Sequence, residues 1–172
     1  MDVTILRNPP LDSELRRQLV EIWVHATNAG GALGLLSPAT VESASKLATV
    51  TWRSIEEGSD DLFVAYAGGT PVGWVVLSPR QDGVTPHWRT VKRLQVHPER
   101  QGCGYGRTLL AELERFGLAE GLEELHLTLR DGTGVDRFYR ALGFREIARI
   151  PRALRVGPGD DRDEVYMVKT LR

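Results

Sequence analysis

Cysteine is almost absent from this 172-residue chain. Cys103 stands alone, so no internal disulfide forms, and a reducing compartment is the expected setting. Long apolar runs are missing too. The longest, such as Val72–Leu77, fall far short of the roughly 20 residues a membrane-spanning helix needs. The start, Met1-Asp2-Val3, is acidic and lacks an apolar signal core, which points to the cytoplasm. Neither sign of charge dominates: 22 Lys and Arg face 23 Asp and Glu, for a formal charge of −1. No single-sign field therefore indicates a nucleic-acid or anionic-membrane partner. The four histidines and the cysteine show no ligand spacing, so no metal centre is expected. No repeat, low-complexity tract or charge block divides the chain, and residues 1–172 read as a single domain.

What is present is an ordinary globular balance, 41% hydrophobic and 26% charged, which supports a packed core rather than disorder. Val3–Arg7 reads as a short strand stopped by Pro9-Pro10. Leu15, Leu19, Ile22 and Ala26 recur at helical spacing behind an Asp12 or Ser13 cap. A second helix is expected to open at Ser37-Pro38, bury Val41, Ala44, Leu47 and Ile55, and stop at Gly58. The period then changes. Leu62–Ala67 and Val72–Leu77 read as strands joined by a four-residue turn, Gly68-Gly69-Thr70-Pro71, and Pro79–Pro86 as a second turn-rich break.

Arg89–Val96 is the next strand, with Val91, Arg93 and Gln95 expected on one face and Lys92, Leu94 and Val96 on the other. A helix from about Gly106 to Glu120 carries Leu109, Leu110, Leu113 and Phe116 as its stripe. Leu125–Leu129 is a strand, Val135–Leu142 a short helix closed by Gly143, and Arg145–Ile150 and Val165–Leu171 strands around a polar loop. The order is β-α-α-β-β-β-α-β-α-β-β. The helical crossover between Val96 and Leu125 makes those two strands parallel neighbours, within a mixed α/β sheet carrying helices on both faces.

The stretch that carries chemistry is Gln101-Gly102-Cys103-Gly104-Tyr105-Gly106-Arg107, set between a strand and an amphipathic helix. Alternate glycines expose backbone N–H groups at the positive end of a helix dipole, a natural seat for a phosphate or pyrophosphate. Two familiar phosphate loops fail on spacing. A P-loop needs glycine where Gln101 stands and lysine where Arg107 stands; a dinucleotide fingerprint needs glycine at Arg107. The polar Lys92, Arg93 and Gln95 also sit badly in a strand buried on both faces.

Gln101-x-x-Gly104-x-Gly106 resembles the Q/R-x-x-G-x-G/A signature of the GNAT superfamily of acyl-CoA-dependent N-acetyltransferases. Leu94-Gln95-Val96-His97-Pro98 is similar to its Leu-x-Val-x-Pro strand, and Phe138-Tyr139-Arg140-Ala141-Leu142-Gly143-Phe144 to its Phe-Tyr-x-x-x-Gly-Phe element. The three come in the family's order and together span more than a third of the chain. The resemblance implies a GNAT-like fold, a mostly antiparallel sheet with one splayed parallel pair. It also implies acetyl-CoA as cofactor and an amine as acceptor. Main-chain groups of Leu94, Gln95 and Val96 would hold the pantetheine arm as an added strand would. Gly102, Cys103, Gly104, Tyr105, Gly106 and Arg107 would hold the pyrophosphate. Gln101 would fix the loop, and Tyr139 matches the tyrosine that protonates the departing thiolate.

The chain departs from the family in the loop Arg130-Asp131-Gly132-Thr133-Gly134, where Gly132 and Val135 stand in place of the usual asparagine and alanine. Asp131 or Thr133 could replace the asparagine's contact. Thr90 falls where several relatives place a carboxylate base, and threonine cannot serve that role. The base is open among His25, His87, His97, His126 and a water relay, with His126 alternating against the leucines of its strand. Cys103 reads as a small loop residue rather than a nucleophile, since no histidine can be placed beside it. Residues 28–36, weakly similar to tabtoxin-resistance-type acetyltransferases, and residues 155–163 are the expected walls of the acceptor site. Asp160, Asp161 and Asp163 are available there to attract a cationic amine. A small-molecule amine is the expected acceptor, a peptide or protein amine the alternative, and a homodimer through the late strands an expectation by analogy. A non-catalytic acyl-CoA sensor and a protein binding another nucleotide at the loop complete the alternatives.

Overall fold

The computed structural model describes residues 3–80 and 82–171. The acidic start at Met1-Asp2 and one position of the break 79–86, Gln81, lie outside the described residues. The element order is β1 (Val3–Arg7), α1 (Ser13–Asn28), α2 (Val41–Glu56), β2 (Asp61–Ala67), β3 (Thr70–Pro79), β4 (Trp88–Val96), α3 (Tyr105–Ala119), β5 (Glu124–Arg130), α4 (Val135–Ala141), β6 (Arg145–Gly157) and β7 (Asp160–Thr170). This is the order expected from periodicity. One seven-stranded sheet runs β1-β2-β3-β4-β5-β7-β6, antiparallel throughout except for β4 and β5, the parallel pair joined through α3.

Each face of the sheet buries its own core, because strand residues alternate between faces. On one face α1 and α2 pack Leu19, Trp23, Ala44, Ala48 and Trp52 against Leu62, Val64, Trp74 and Val76. On the other, α3 packs Leu109, Leu110, Leu113 and Phe116 against Phe63, Val75, Leu77, Leu125 and Leu127. The stripes expected for α1 and α3 are buried as read.

Three local expectations are corrected. Helix α2 opens at Thr40, not at Ser37-Pro38. The Thr40 hydroxyl accepts from the Ser43 N–H and the Ser43 hydroxyl accepts from the Thr40 N–H, a reciprocal cap that outcompetes a proline start. That phase turns Ala44, Ala48, Thr51 and Trp52 inward and leaves Val41 and Leu47 exposed, so the apolar β-branched and leucine positions misled. The β2–β3 turn is Gly68-Gly69 alone, since Thr70 and Pro71 pair with Ala67 and Tyr66. The polar stretch 155–163 is no loop: β6 and β7 continue as a paired hairpin to its tip at Pro158-Gly159. Alternating arginines and aspartates along the two strands pair across it, and turn-forming composition had hidden them.

Candidate active site

The site begins where β4 leaves β5. The two strands pair only through Trp88, Arg89 and Thr90, opposite Glu124, Leu125 and His126. Beyond Thr90, β4 stays paired with β3 alone and β5 with β7 alone. The strands splay, and the facing main-chain edges of 91–96 and 127–130 have no ladder partner. An irregularity drives this. The β3–β4 register shifts between Trp74 and Val76, and Arg93 adopts a positive φ of 55°. The extra residue reverses the alternation expected from the sequence. Val91, Leu94 and Val96 join the α3-side core, while Arg93 lies over the Trp23 ring of the α1 side, at 4.2 Å from its centroid. Gly73 permits the bulge: a Cβ there would sit 2.7 Å from the Gln95 carbonyl oxygen.

A cleft of about 830 Å³ runs through this opening. Its floor includes Leu94, Gln95 and Val96, and its α3 flank Gln101, Gly102, Gly104, Tyr105, Gly106 and Arg107. The loop is tied down at both ends. The Gln101 amide donates to the Val96 carbonyl at 3.1 Å, and the Gln101 N–H reaches Pro98 O. The next N–H with a protein acceptor is that of Thr108, which bonds Gly104 O. The six N–H groups of residues 102–107 therefore have no acceptor among the described residues, at the N-terminus of a 15-residue helix. Gly104, the cap, holds φ at 88°, which a side chain would strain. Cys103 is exposed and its side chain is not part of the cleft wall.

Tyr139 reaches the cleft from α4 while remaining 9% exposed, edge-on to Phe138 and Phe144. Its hydroxyl has no hydrogen-bond partner among the described residues, and burial pushes its pKa well above the ordinary phenol value. The phenol is thus a core side chain with a proton pointing at nothing the protein supplies.

None of the four histidines lines the cleft. His126, one of the base candidates, stacks on Trp88 with ring centroids 4.0 Å apart and bonds Glu124 at 2.8 Å, outside the cleft. His25 and His97 bond each other at 2.9 Å, and the His97 Nδ1 accepts from the Glu99 N–H. Among the described lining residues there is no Asp, Glu or His, and the charges are those of Lys92, Arg93, Arg100 and Arg107. Thr133 lines the cleft and Asp131 does not; Asp131 instead accepts from Arg149 at 2.8 Å.

A second hollow of about 390 Å³ adjoins the cleft, sharing Ala32, Gly34, Thr128 and Leu129 with it. Leu35 and Leu36 close it on one side, Ala153 to Val156 of β6 on another. Of the expected wall 155–163, Arg155 and Val156 line the hollow, joined by Ala153 and Leu154 of β6 and by Glu164 of β7. Its aspartates are already engaged: Asp161 with Arg152 and Arg155, Asp163 with Arg149, and Asp160 with Arg162. They are not free to attract a cation. Sequence reasoning missed the side chains of Arg93 and Gln95 as site groups. Nothing singled them out, since Arg89, Thr90 and Lys92 are polar in the same strand.

A sequence profile described as Acetyltransferase (GNAT) family matches residues 33–144. The chain belongs to the GNAT acetyltransferase family. Solved GNAT-like structures share the whole architecture at low identity. The ribosomal-protein-alanine N-acetyltransferase of Brucella melitensis superposes with a TM-score of 0.77 at 20% identity, over 99% of each chain. YncA of Salmonella typhimurium, solved with its cofactor acetyl-CoA, gives 0.76 at 22% identity, covering 100% of this chain and 95% of its own. An aminoglycoside 6′-N-acetyltransferase complexed with coenzyme A gives 0.71 at 18% identity, covering 100% and 98%. At such identities the shared property is the GNAT fold. No described helix is long and apolar enough to cross a membrane.

Proposed function

We propose that the protein transfers an acetyl group from acetyl-CoA to the primary amine of a small molecule, with Tyr139 as the proton donor. The observation that carries this reading is the run of six unpartnered N–H groups at residues 102–107, opening into a cleft between two splayed strands. The fit is chemical as well as spatial. Backbone donors, the α3 dipole and the Arg100 and Arg107 side chains at one end suit a pyrophosphate. The unpaired edges of β4 and β5 suit the amide-bearing pantetheine arm, which hydrogen-bonds as a strand does.

Acetyl-CoA, when bound, supplies an activated thioester. The chain's residues then have three tasks. An N–H of the 94–96 edge polarises the carbonyl oxygen, an effect worth about 3 kcal/mol in comparable sites. The flank of α1 and residues 29–34 presents the amine to the same opening. Tyr139 donates a hydrogen bond to the leaving sulfur. Overall a C–N bond forms and a C–S bond breaks. The sulfur takes the phenol proton, and the phenolate regains one from the nitrogen that attacked. Because burial raises the phenol's pKa, Tyr139 is fully protonated at neutral pH and a tyrosinate there is short-lived. With no Asp, Glu or His among the described residues of the main cleft, and with Glu164 of the adjoining hollow accepting from the Tyr166 hydroxyl, the amine arrives already neutral, its proton lost to water.

A small acceptor is favoured by the size of the adjoining hollow, which matches a compact metabolite. The test is an amine panel with acetyl-CoA, read as released thiol. Turnover of a small amine above the rate of thioester hydrolysis supports the reading. Acetylation of peptides alone refutes the small acceptor, and acetyl-CoA binding without turnover of any amine refutes the enzyme in favour of a sensor.

A further inference from the structure

We infer that the acceptor carries an anionic oxygen group besides its amine, and that Arg93 binds that group while the Gln95 amide holds the amine nitrogen. The inference rests on the acetyltransferase reading and names the acceptor's class: an α-amino carboxylate or its phosphinate counterpart.

Arg93 is a partly buried cation without a counter-ion. No carboxylate among the described residues pairs with it, and desolvation by the surrounding protein lowers its pKa. It remains protonated at neutral pH, since a guanidinium starts so high. Two of its five N–H donors are used, Nε to the Thr51 hydroxyl at 3.3 Å and Nη1 to the Leu33 carbonyl at 3.2 Å. Those bonds and the Trp23 ring beneath fix its plane. Three N–H donors are left, and Arg93 is among the residues that line the cleft. A planar fork held in place with free donors matches a two-oxygen anion.

Gln95 supplies an independent sign. It is 4% exposed, lines the cleft, and neither its Nε2 nor its Oε1 has a hydrogen-bond partner. Buried amides are normally satisfied, so an orphaned one beside a cleft marks where a ligand completes the bonding. Its position opposite Trp74 puts it on the α1 face of β4, and the bulge at Arg93 brings the guanidinium to that same face. The pair thus offers an anion fork and, next along the strand, a carbonyl oxygen able to accept from an amine N–H.

The test compares matched acceptors: amino acids, their carboxamides, and phosphinate analogues, each assayed for thiol release and titrated calorimetrically into the CoA-loaded protein. Anionic acceptors are expected to exceed their carboxamides by about 10²-fold in kcat/KM. Arg93→Gln should reduce that ratio to within about 3-fold, and Arg93→Lys, which keeps charge without the fork, to about 10-fold, with the acetyl-CoA dissociation constant unchanged. A merely structural arginine would lower both acceptor classes together and leave the ratio intact, which overturns the inference. So does wild-type protein that binds or acetylates the carboxamides as well as the acids. Failure to bind acetyl-CoA at all is a separate result, and it removes the underlying acetyltransferase reading.

Discussion

The two flanks of the β4 opening are built from different materials. On the α3 flank the donors are main-chain N–H groups of residues 102–107, held by a left-handed Gly104 and a Gln101 tie. On the α1 flank the polar groups are side chains, Arg93 and Gln95, presented by a bulge in β4. Backbone donors can recognise a phosphate whatever side chains surround them, whereas side-chain groups can change one at a time. On the proposed reading, the difference separates the cofactor side of the cleft from the acceptor side.

The comparison is open to attack from either flank. The largest effect is expected from Gly104→Glu, which strains the left-handed cap and puts a carboxylate among the six donors. Acetyl-CoA affinity should fall more than about 10²-fold by calorimetry, with far-UV circular dichroism unchanged. Tyr139→Phe comes next. It should lower kcat about 10²-fold, while the acetyl-CoA dissociation constant stays within about 3-fold. Equal losses in both quantities would make Tyr139 a packing residue only.

Gly73→Ala would sharpen the link between flanks. Its Cβ meets the Gln95 carbonyl, so thermal denaturation should show a loss of about 1–3 kcal/mol and KM for the acceptor should rise. A bulge that tolerates alanine without cost would detach the α1 flank from β3. The pH profile is a subtler probe. With no histidine in the cleft, log kcat/KM should climb with unit slope up to the acceptor amine's own pKa, with no inflection near the ordinary histidine pKa of about 6.5. His126→Ala and His25→Ala should each change kcat/KM less than about 3-fold.

The smallest effect belongs to the hairpin tip. The Arg155 and Arg152 guanidinium groups hold Asp161 below its ordinary pKa, so this contact stabilises above the unfolded carboxylate pKa and is lost as pH falls through the lower folded value. Both arginine partners are exposed and the pair lies at the hairpin tip, so Asp161→Asn should leave turnover within about 2-fold of wild type and abolish only this acid-range dependence.

Legibility followed the same division. The geometry of the glycine loop could be read because left-handed backbone at 102 and 104 favours glycine there. The element order was readable because strand and helix periods are local, and the parallel pair because a helical crossover joins its strands. The acceptor side was not, for two physical reasons. A one-residue bulge at Arg93 inverts every side chain after it, and nothing in the pattern Val91–Val96 announces the inversion. Asp161 and Asp163 looked available because their partners, Arg149, Arg152 and Arg155, sit across a hairpin that composition had disguised as a loop. His126 was misplaced for a related reason: alternation gave its face correctly as opposite the leucines, but Trp88 covers that face.

The most direct measurement is a calorimetric titration of the purified chain with acetyl-CoA, with ATP and NAD as competitors. The account predicts a dissociation constant on the order of 1–100 μM for acetyl-CoA, undisturbed by millimolar ATP or NAD. No heat of binding with acetyl-CoA, or displacement by either nucleotide at similar concentration, would contradict it.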